Sequence, residues 1–279
     1  MALYTSSSGA GAVTPDGFGV LVEKPVSELS VAFQVGTRVS TSATTYRVPI
    51  LASDVVLGPV AEGADITPSD VVFSELAVDP VKFAGLSIVS REMADDSSPS
   101  ALDVVGRSIA RQIAKSVDSA LLKPKTGLNP QGLNGLSGIS AVDAGAAFAN
   151  LDSFYEALSA SESAGGNISA WVTDAATALA ISQLKEGTGS NRGLLNADLT
   201  VDGRRQILGR PVYVSEQAPA DTVFGVSGAD LQIVVRDGTR VDVDRSRYFE
   251  SDRIGVRGTM RVAFAAPVPA THAVITLSE

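Results

Sequence analysis

Two runs rich in β-branched residues, TTYRVPILASDVVL (44–57) and VVFSELAVDPVKF (71–83), flank the stretch GPVAEGADITPSD (58–70), and such a pair joined by a loop predicts a β-hairpin. Its length is unusual. At about 3.3 Å per residue the first run reaches roughly 45 Å, where an ordinary strand covers about 17–20 Å. A hairpin of that reach cannot stay inside one compact domain and must lie across something else.

The clearest helical signal follows the hairpin. Ser98 can cap it, Pro99 suits its first position, and Leu102, Val105, Ile109, Ile113, Val117 and Ala120 recur every three or four residues until Pro124 stops it. The spacing predicts a half-buried helix ending at Leu122, about 35 Å long at 1.5 Å per residue, with Asp103 and Arg107 as an i, i+4 pair on its outer side. The Gly- and Asn-rich loop KPKTGLNPQGLNGLSG (123–138) then reads as turns, and its spacing matches no phosphate-binding motif.

Before the hairpin, MALYTSSSGAGAVTPDGFG (1–19) reads as an extended arm and VEKPVSELSVAFQVG (22–36) as a short helical or mixed segment. From Asn150 helices and strands alternate: Asn150 caps a helix carrying Leu151, Phe154 and Leu158, ISAWVT is a strand, Asp174 caps a second helix through Leu184 and Lys185, and RPVYVSEQAP is another strand. This pattern predicts a separate α/β region. Residues 230–269 are β-rich and heavily charged, and are expected to pack on the long helix and the hairpin base.

Composition changes the picture in three ways. With 44% hydrophobic and 19% charged residues the chain is globular and thinly charged for a monomer, a composition suited to extensive self-contact. The lack of cysteine removes disulfides, thiolate nucleophiles and zinc–thiolate sites together. A net charge of −9 argues against attracting nucleic acid through its phosphates, while permitting a wall that does not adhere to a packed polyanion. The first twenty residues contain neither Lys nor Arg and no apolar block, and VAFAAPVPATHAVITL (262–277) is too short and too proline-rich to span a membrane, so a soluble cytoplasmic protein is expected.

Charge is also unevenly placed. Between Ala52 and Asp79 lie Asp54, Glu62, Asp65, Asp70, Glu75 and Asp79 with no Lys or Arg, whereas Ser97–Lys125 carries a net +3 and Arg236–Arg261 a net +2. An acidic projection meeting a basic neighbour would steer association and fix register. The candidate contacts are Glu62, Asp65 and Asp70 on one side and Arg107, Arg111, Arg245 and Arg247 on the other; the plainer reading of each charge alone is a solvated face. Chemistry finds little purchase. His272 is the only histidine and stands in a Pro-flanked apolar strand, with no nucleophile motif to serve. The paired acids Asp95/Asp96 and Asp242/Asp244 lack the calcium-loop pattern and read as salt-bridged or turn residues, and Trp171 is not interleaved with basic residues as a nucleic-acid platform requires.

The ordered set of arm, long hairpin, helix IARQIAKSVDSALL, turn GLNPQGL, AWVTDAATALAISQLKEGTG, ILGRPVYVSEQAP and closing ESDRIGVRGTMRVAFAAPVPATHAVITL resembles the major capsid proteins of tailed bacteriophages, the Hong Kong 97 type. The resemblance covers nearly the whole chain. It implies an α+β Hong Kong 97-type capsid fold: an N-terminal arm (1–42), an extended β-hairpin loop and its base (43–92), a peripheral domain with a long spine helix (93–135), an axial α/β domain (136–228), and return strands of the peripheral domain together with the C-terminus (229–279). It further implies a structural protein, not an enzyme, without cofactor or metal, that self-assembles into hexamers and pentamers of an icosahedral shell around double-stranded DNA. Implied partners are other copies of the chain, a portal, a scaffold or cement protein, and packaged DNA held non-specifically, with no membrane. Its place would be the virion capsid, assembled in the host cytoplasm. The alternatives are an encapsulin-like nanocompartment shell subunit and, from another class, a cytoplasmic α/β enzyme.

Some members of that family lock their shells by an isopeptide bond from a Lys on the extended loop, a reaction that needs an uncharged amine at the loop. This chain has no Lys between Lys24 and Lys82, so no cross-linking residue is assigned. Mature particles boiled in detergent are expected to run as a single band near 28.7 kDa; a ladder of covalent oligomers would refute this.

Overall fold

The computed structural model describes residues 26–53, 58, 59, 62, 63, 71–96, 101–187, 190, 193–195 and 205–278. The expected arm over 1–19 and the Ser98–Pro99 start of the long helix lie outside them. In chain order the elements are α1 (Val31–Val35), β1 (Thr37–Thr41), β2 (Tyr46–Ser53), β3 (Val72–Val78), β4 (Val81–Ser90), α2 (Arg91–Asp96), α3 (Ala101–Leu122), β5 (Ser140–Asp143), α4 (Asp152–Ser163), β6 (Ala170–Thr173), α5 (Ala175–Ser182), β7 (Gln206–Ile207), β8 (Arg210–Val214), β9 (Thr222–Val226), β10 (Gln232–Asp244), β11 (Arg253–Ala265) and β12 (Ala273–Thr276). They form a four-stranded sheet β1-β10-β11-β4, a six-stranded sheet β5-β12-β9-β6-β8-β7 and the two-stranded hairpin β2-β3.

The long helix α3 lies on one face of the four-stranded sheet. Its stripe of Ile109, Ile113 and Val117 is buried together with Val256, Met260 and Val262 of β11. The approach is closest at Gly258, where a Cβ would stand 2.3 Å from Ile109 Cγ2. The helix ends at Leu122, and the Gly- and Asn-rich loop after it satisfies its last carbonyls: Leu133 N–H donates to the Leu121 oxygen (2.8 Å) and the Asn134 amide to that of Leu122 (3.2 Å). Gly132 has no room for a side chain, since a Cβ would meet the Ala120 and Leu121 oxygens at 2.3 Å. The loop's composition is thus a helix-capping requirement.

Two expectations about the ends of the chain need correction. Residues 26–41 do not belong to an arm: Val26, Val31, Ala32 and Val35 are buried in the main core, and β1 pairs in parallel with β10 from Thr37↔Gln232 to Thr41↔Arg236. Nor do all the late residues return to the four-stranded sheet. β10 and β11 do, but β12 enters the six-stranded sheet between β5 and β9, because Ala273 and Ile275 complete an apolar cluster with Phe154, Ile168 and Trp171.

In that second sheet Trp171 is fully buried, edge-on to Phe154 at 5.1 Å, and its indole N–H donates to the Ile207 oxygen (3.1 Å). Asp174 caps α5 by accepting from Ala176 and Thr177 N–H, and that helix stops at Ser182, short of Leu184. The cap position of α4 falls on Leu151, one residue beyond Asn150, whose side-chain oxygen accepts from Asp152 N–H (3.1 Å).

Ile113 is buried on α3 whereas Ser116 is exposed, its hydroxyl bonded only to the Gln112 oxygen of its own helix (2.8 Å). Ile113→Ala is expected to cost about 2–5 kcal/mol and Ser116→Ala less than ~0.5 kcal/mol. Urea unfolding of the two soluble subunits measures the difference.

Candidate assembly interface

The hairpin is built in two parts. Its base lies on the face of the four-stranded sheet opposite α3, with Tyr46, Val48, Leu76 and Val78 packed on Val234, Ala263 and Ala265, and the Tyr46 hydroxyl bonded to the Gln232 side-chain oxygen (3.2 Å). Further out the strands remain paired, Leu51 opposite Phe73, but the apolar side chains are largely open to solvent: Leu51 is 48%, Val72 54% and Phe73 73% exposed. An apolar projection of this kind, continuous with no core of its own, marks a surface made for a partner. Pro49 sits within β2, acceptable in a two-stranded ribbon where a missing N–H need not interrupt a wider sheet.

The predicted charges divide into those the fold uses internally and those it leaves outward. Glu75 is held by Arg47 across the hairpin (2.6 Å) and Asp79 accepts from the Thr45 hydroxyl (2.7 Å), so neither is spare. Glu62 is exposed beside Gly63, in a turn where that glycine has φ +81°. Asp65 and Asp70 lie outside the described residues. On the basic side Arg107 and Arg111 project from the exposed face of α3, while Arg245 and Arg247 stand in the turn joining β10 to β11, Arg247 with its guanidinium 6.0 Å from the Tyr248 ring. Among the described residues Arg107, Arg111 and Arg245 have no ion-pair partner within the chain.

The rest of the helix's charge is committed to the fold. Lys115 pairs with Glu216 (2.7 Å) and Lys123 with the Gln217 side chain (3.1 Å), tying α3 to the turn after β8. Asp118 is buried and caps α1 from a distance: its carboxylate accepts from the Ser30 hydroxyl (2.6 Å), Val31 N–H (3.1 Å) and Ala32 N–H (3.0 Å). Burial raises its pKa, and the three donors oppose that shift. Sequence reasoning misses this role because cap and helix are 88 residues apart.

The remaining candidates have structural roles. Asp242 pairs with Arg257 (2.7 Å), and Asp244 accepts from the backbone and hydroxyl of Ser246 in the turn; the side chains of Asp95 and Asp96 lie outside those described. No group of three or more His, Asp or Glu among the described residues is arranged to hold a metal, and no helix among them is long and apolar enough to cross a membrane. His272 is fully buried where β12 begins, its Nδ1 accepting from Ser227 N–H (3.1 Å) and its Nε2 without a hydrogen-bond partner.

A long helix over a four-stranded sheet, a projecting hairpin and a second mixed sheet together define a Hong Kong 97-type shell protein. The sequence description of the phage capsid family matches residues 10–276, and the chain belongs to that family of structural capsid proteins. Among solved structures it is similar to the capsid of an empty GTA particle (18% identity, 88% of this chain and 89% of that one, TM-score 0.74). It is also similar to chains from Mycobacterium phage Adephagia (18%, 90% and 90%, TM-score 0.72) and Microbacterium phage Oxtober96 (18%, 89% and 91%, TM-score 0.73). No curated protein matches the chain.

Burial lowers the His272 pKa from 6.5 to about 4, against a smaller opposing pull from Asp230. The unfolded chain therefore takes up this proton first as pH falls. The group's contribution to stability is complete above about pH 6.5 and is lost progressively toward pH 4, by ~3 kcal/mol in all. Urea midpoints compared at neutral and acid pH are expected to show a smaller acid loss in His272→Gln than in the parent.

Proposed function

We propose that the chain assembles into hexamers and pentamers that close an icosahedral shell around double-stranded DNA, each subunit laying its hairpin across a neighbour. The observation that carries this is the half-covered hairpin: its base is packed on its own sheet, while Leu51, Val72 and Phe73 beyond it are exposed. Burial of apolar area at roughly 25 cal/mol per Å² favours covering them, and the acidic residues of the same stretch give the contact a sign. The shell acts by geometry, without catalysis, cofactor or metal. A portal, and a scaffold or cement protein, complete it, and packaged DNA is touched non-specifically because the net charge of −9 gives a polyanion little to hold. Assembly takes place in the host cytoplasm.

Electron microscopy of the purified protein is expected to show closed shells. Replacing residues 54–70 by a short turn should leave a folded, soluble subunit that forms none. Shells unaffected by the deletion would remove the hairpin from the mechanism, and shells that enclose protein but never DNA would point to a nanocompartment instead.

A further inference from the structure

Two short connections cross between the sheets, and one side chain joins them. Residues 227–231 lead from β9 to β10, and residues 266–272 lead from β11 to β12. His272, at the end of the second, is fully buried and accepts at Nδ1 from the backbone N–H of Ser227, at the start of the first (3.1 Å). The turn held in this way is tied to both sheets: Gly228 N–H donates to the Ser169 hydroxyl next to β6 (3.0 Å), and the Gly228 oxygen accepts from the Thr37 hydroxyl of β1 (2.7 Å). The other connection is fixed at its far end, where the Thr271 oxygen accepts from the Ser161 hydroxyl of α4 (2.7 Å) and the His272 oxygen from Ser140 N–H (3.1 Å).

The bond to Ser227 settles the chemistry of the ring. A ring nitrogen that accepts carries no hydrogen, so the neutral imidazole bears its hydrogen on Nε2, where it has no hydrogen-bond partner. A second proton can go only to Nδ1, and there it faces the Ser227 N–H, donor against donor. The closed arrangement has no place for an imidazolium. Little nearby offsets this. Residues 166–173, 222–227, 266–271 and 273–276 and the near part of β5, Ser140–Val142, hold no titratable side chain; Glu162 of α4 and Arg38 of β1 are exposed, and Arg210 of β8 is turned to the Ile168 and Leu208 oxygens. Asp230, whose carboxylate accepts from the Ser227 hydroxyl (2.7 Å), favours the charged ring, but burial outweighs it.

We infer that His272 is an acid-released latch: taking up a proton from solvent breaks its bond to Ser227 and lets residues 227–231 and 266–272 open together while both sheets stay folded. Once open, the ring is solvated and takes the proton at its ordinary pKa of 6.5, whereas the closed form resists it down to about 4. Opening therefore becomes easier as pH falls through that window. The core that α3 shares with Phe224 and Val226 of β9 keeps the sheets together, so the latch sets how freely they shift against each other. It is a property of the single subunit and does not rest on the proposed shell.

Hydrogen exchange on the full-length chain, resolved to single amides by NMR and corrected for the intrinsic pH dependence of amide exchange, tests this. Between about pH 7.5 and about pH 5, exchange at Ser227, Leu231, Thr271 and His272 is expected to speed up about thirtyfold. At the lower pH these amides should exchange at least about tenfold faster than Trp171 and Val262 within the sheets, the mark of local opening rather than global unfolding. In His272→Asn, whose side-chain oxygen can replace Nδ1 as acceptor and binds no proton, the acceleration should vanish. No acceleration in the parent, exchange in step with Trp171 and Val262, or equal acceleration in His272→Asn each overturns the inference. The first two results are read from the parent alone, so they decide the matter even where the variant fails to fold.

Discussion

The rest of the architecture depends on how closely α3 can approach its sheet. Gly258 admits Ile109 to a distance that any side chain there would forbid, and that contact sets the depth at which Ile113 and Val117 are buried. The stripe organises the main core, to which the elements before the hairpin and strands of both sheets contribute. Shifting the helix outward by even a methyl group would loosen contacts with β11 and β4 together, since protein interiors pack with few voids and transmit such strain. The same seam leaves the opposite face of the sheet to the hairpin base.

Charge is divided between two duties. Asp118, Lys115 and Lys123 fasten the helix to its surroundings: the first satisfies backbone N–H groups of a five-residue helix too short to hold itself, and the other two reach the turn after β8. Solvent-exposed pairs such as Lys115–Glu216 contribute only about 0–1 kcal/mol each, so their value lies in orientation. On the sheet, Asp242 pairs with Arg257 across β10 and β11 (2.7 Å), which ties together the two strands that carry the hairpin base.

What the sequence makes legible follows the range of the physics involved. The α3 stripe and the Asp174 cap are local patterns of period 3.6 or of three residues, and both appear where expected. The hairpin is legible for the same reason, through its β-branched runs and intervening turn residues. The distant cap by Asp118 is not, because an aspartate on a helix looks identical whether it faces water or another helix's N–H groups. Cross-strand neighbours are hidden differently: Lys82, Arg236 and Arg261 come side by side only once two strand pairings are fixed, and a register shift between Arg236 and Arg240 moves the later residues of β10 relative to β11. β12 carries the same kind of apolar residues as β11, and only the partner it finds decides its sheet.

The position of β12 has a consequence for how the molecule is made. Among the described residues β5, formed from residues 140–143, pairs with no strand other than β12, which follows it by more than a hundred residues and separates it from β9. A growing chain folds broadly from its beginning, at roughly 5–20 residues per second, so β5 must wait several seconds for its neighbour while the other strands of that sheet already have theirs. A ribosome that stops early releases a chain with β5 unpaired and Phe154 and Trp171 lacking Ala273 and Ile275. The six-stranded sheet is thus completed only once residues 273–276 have been made.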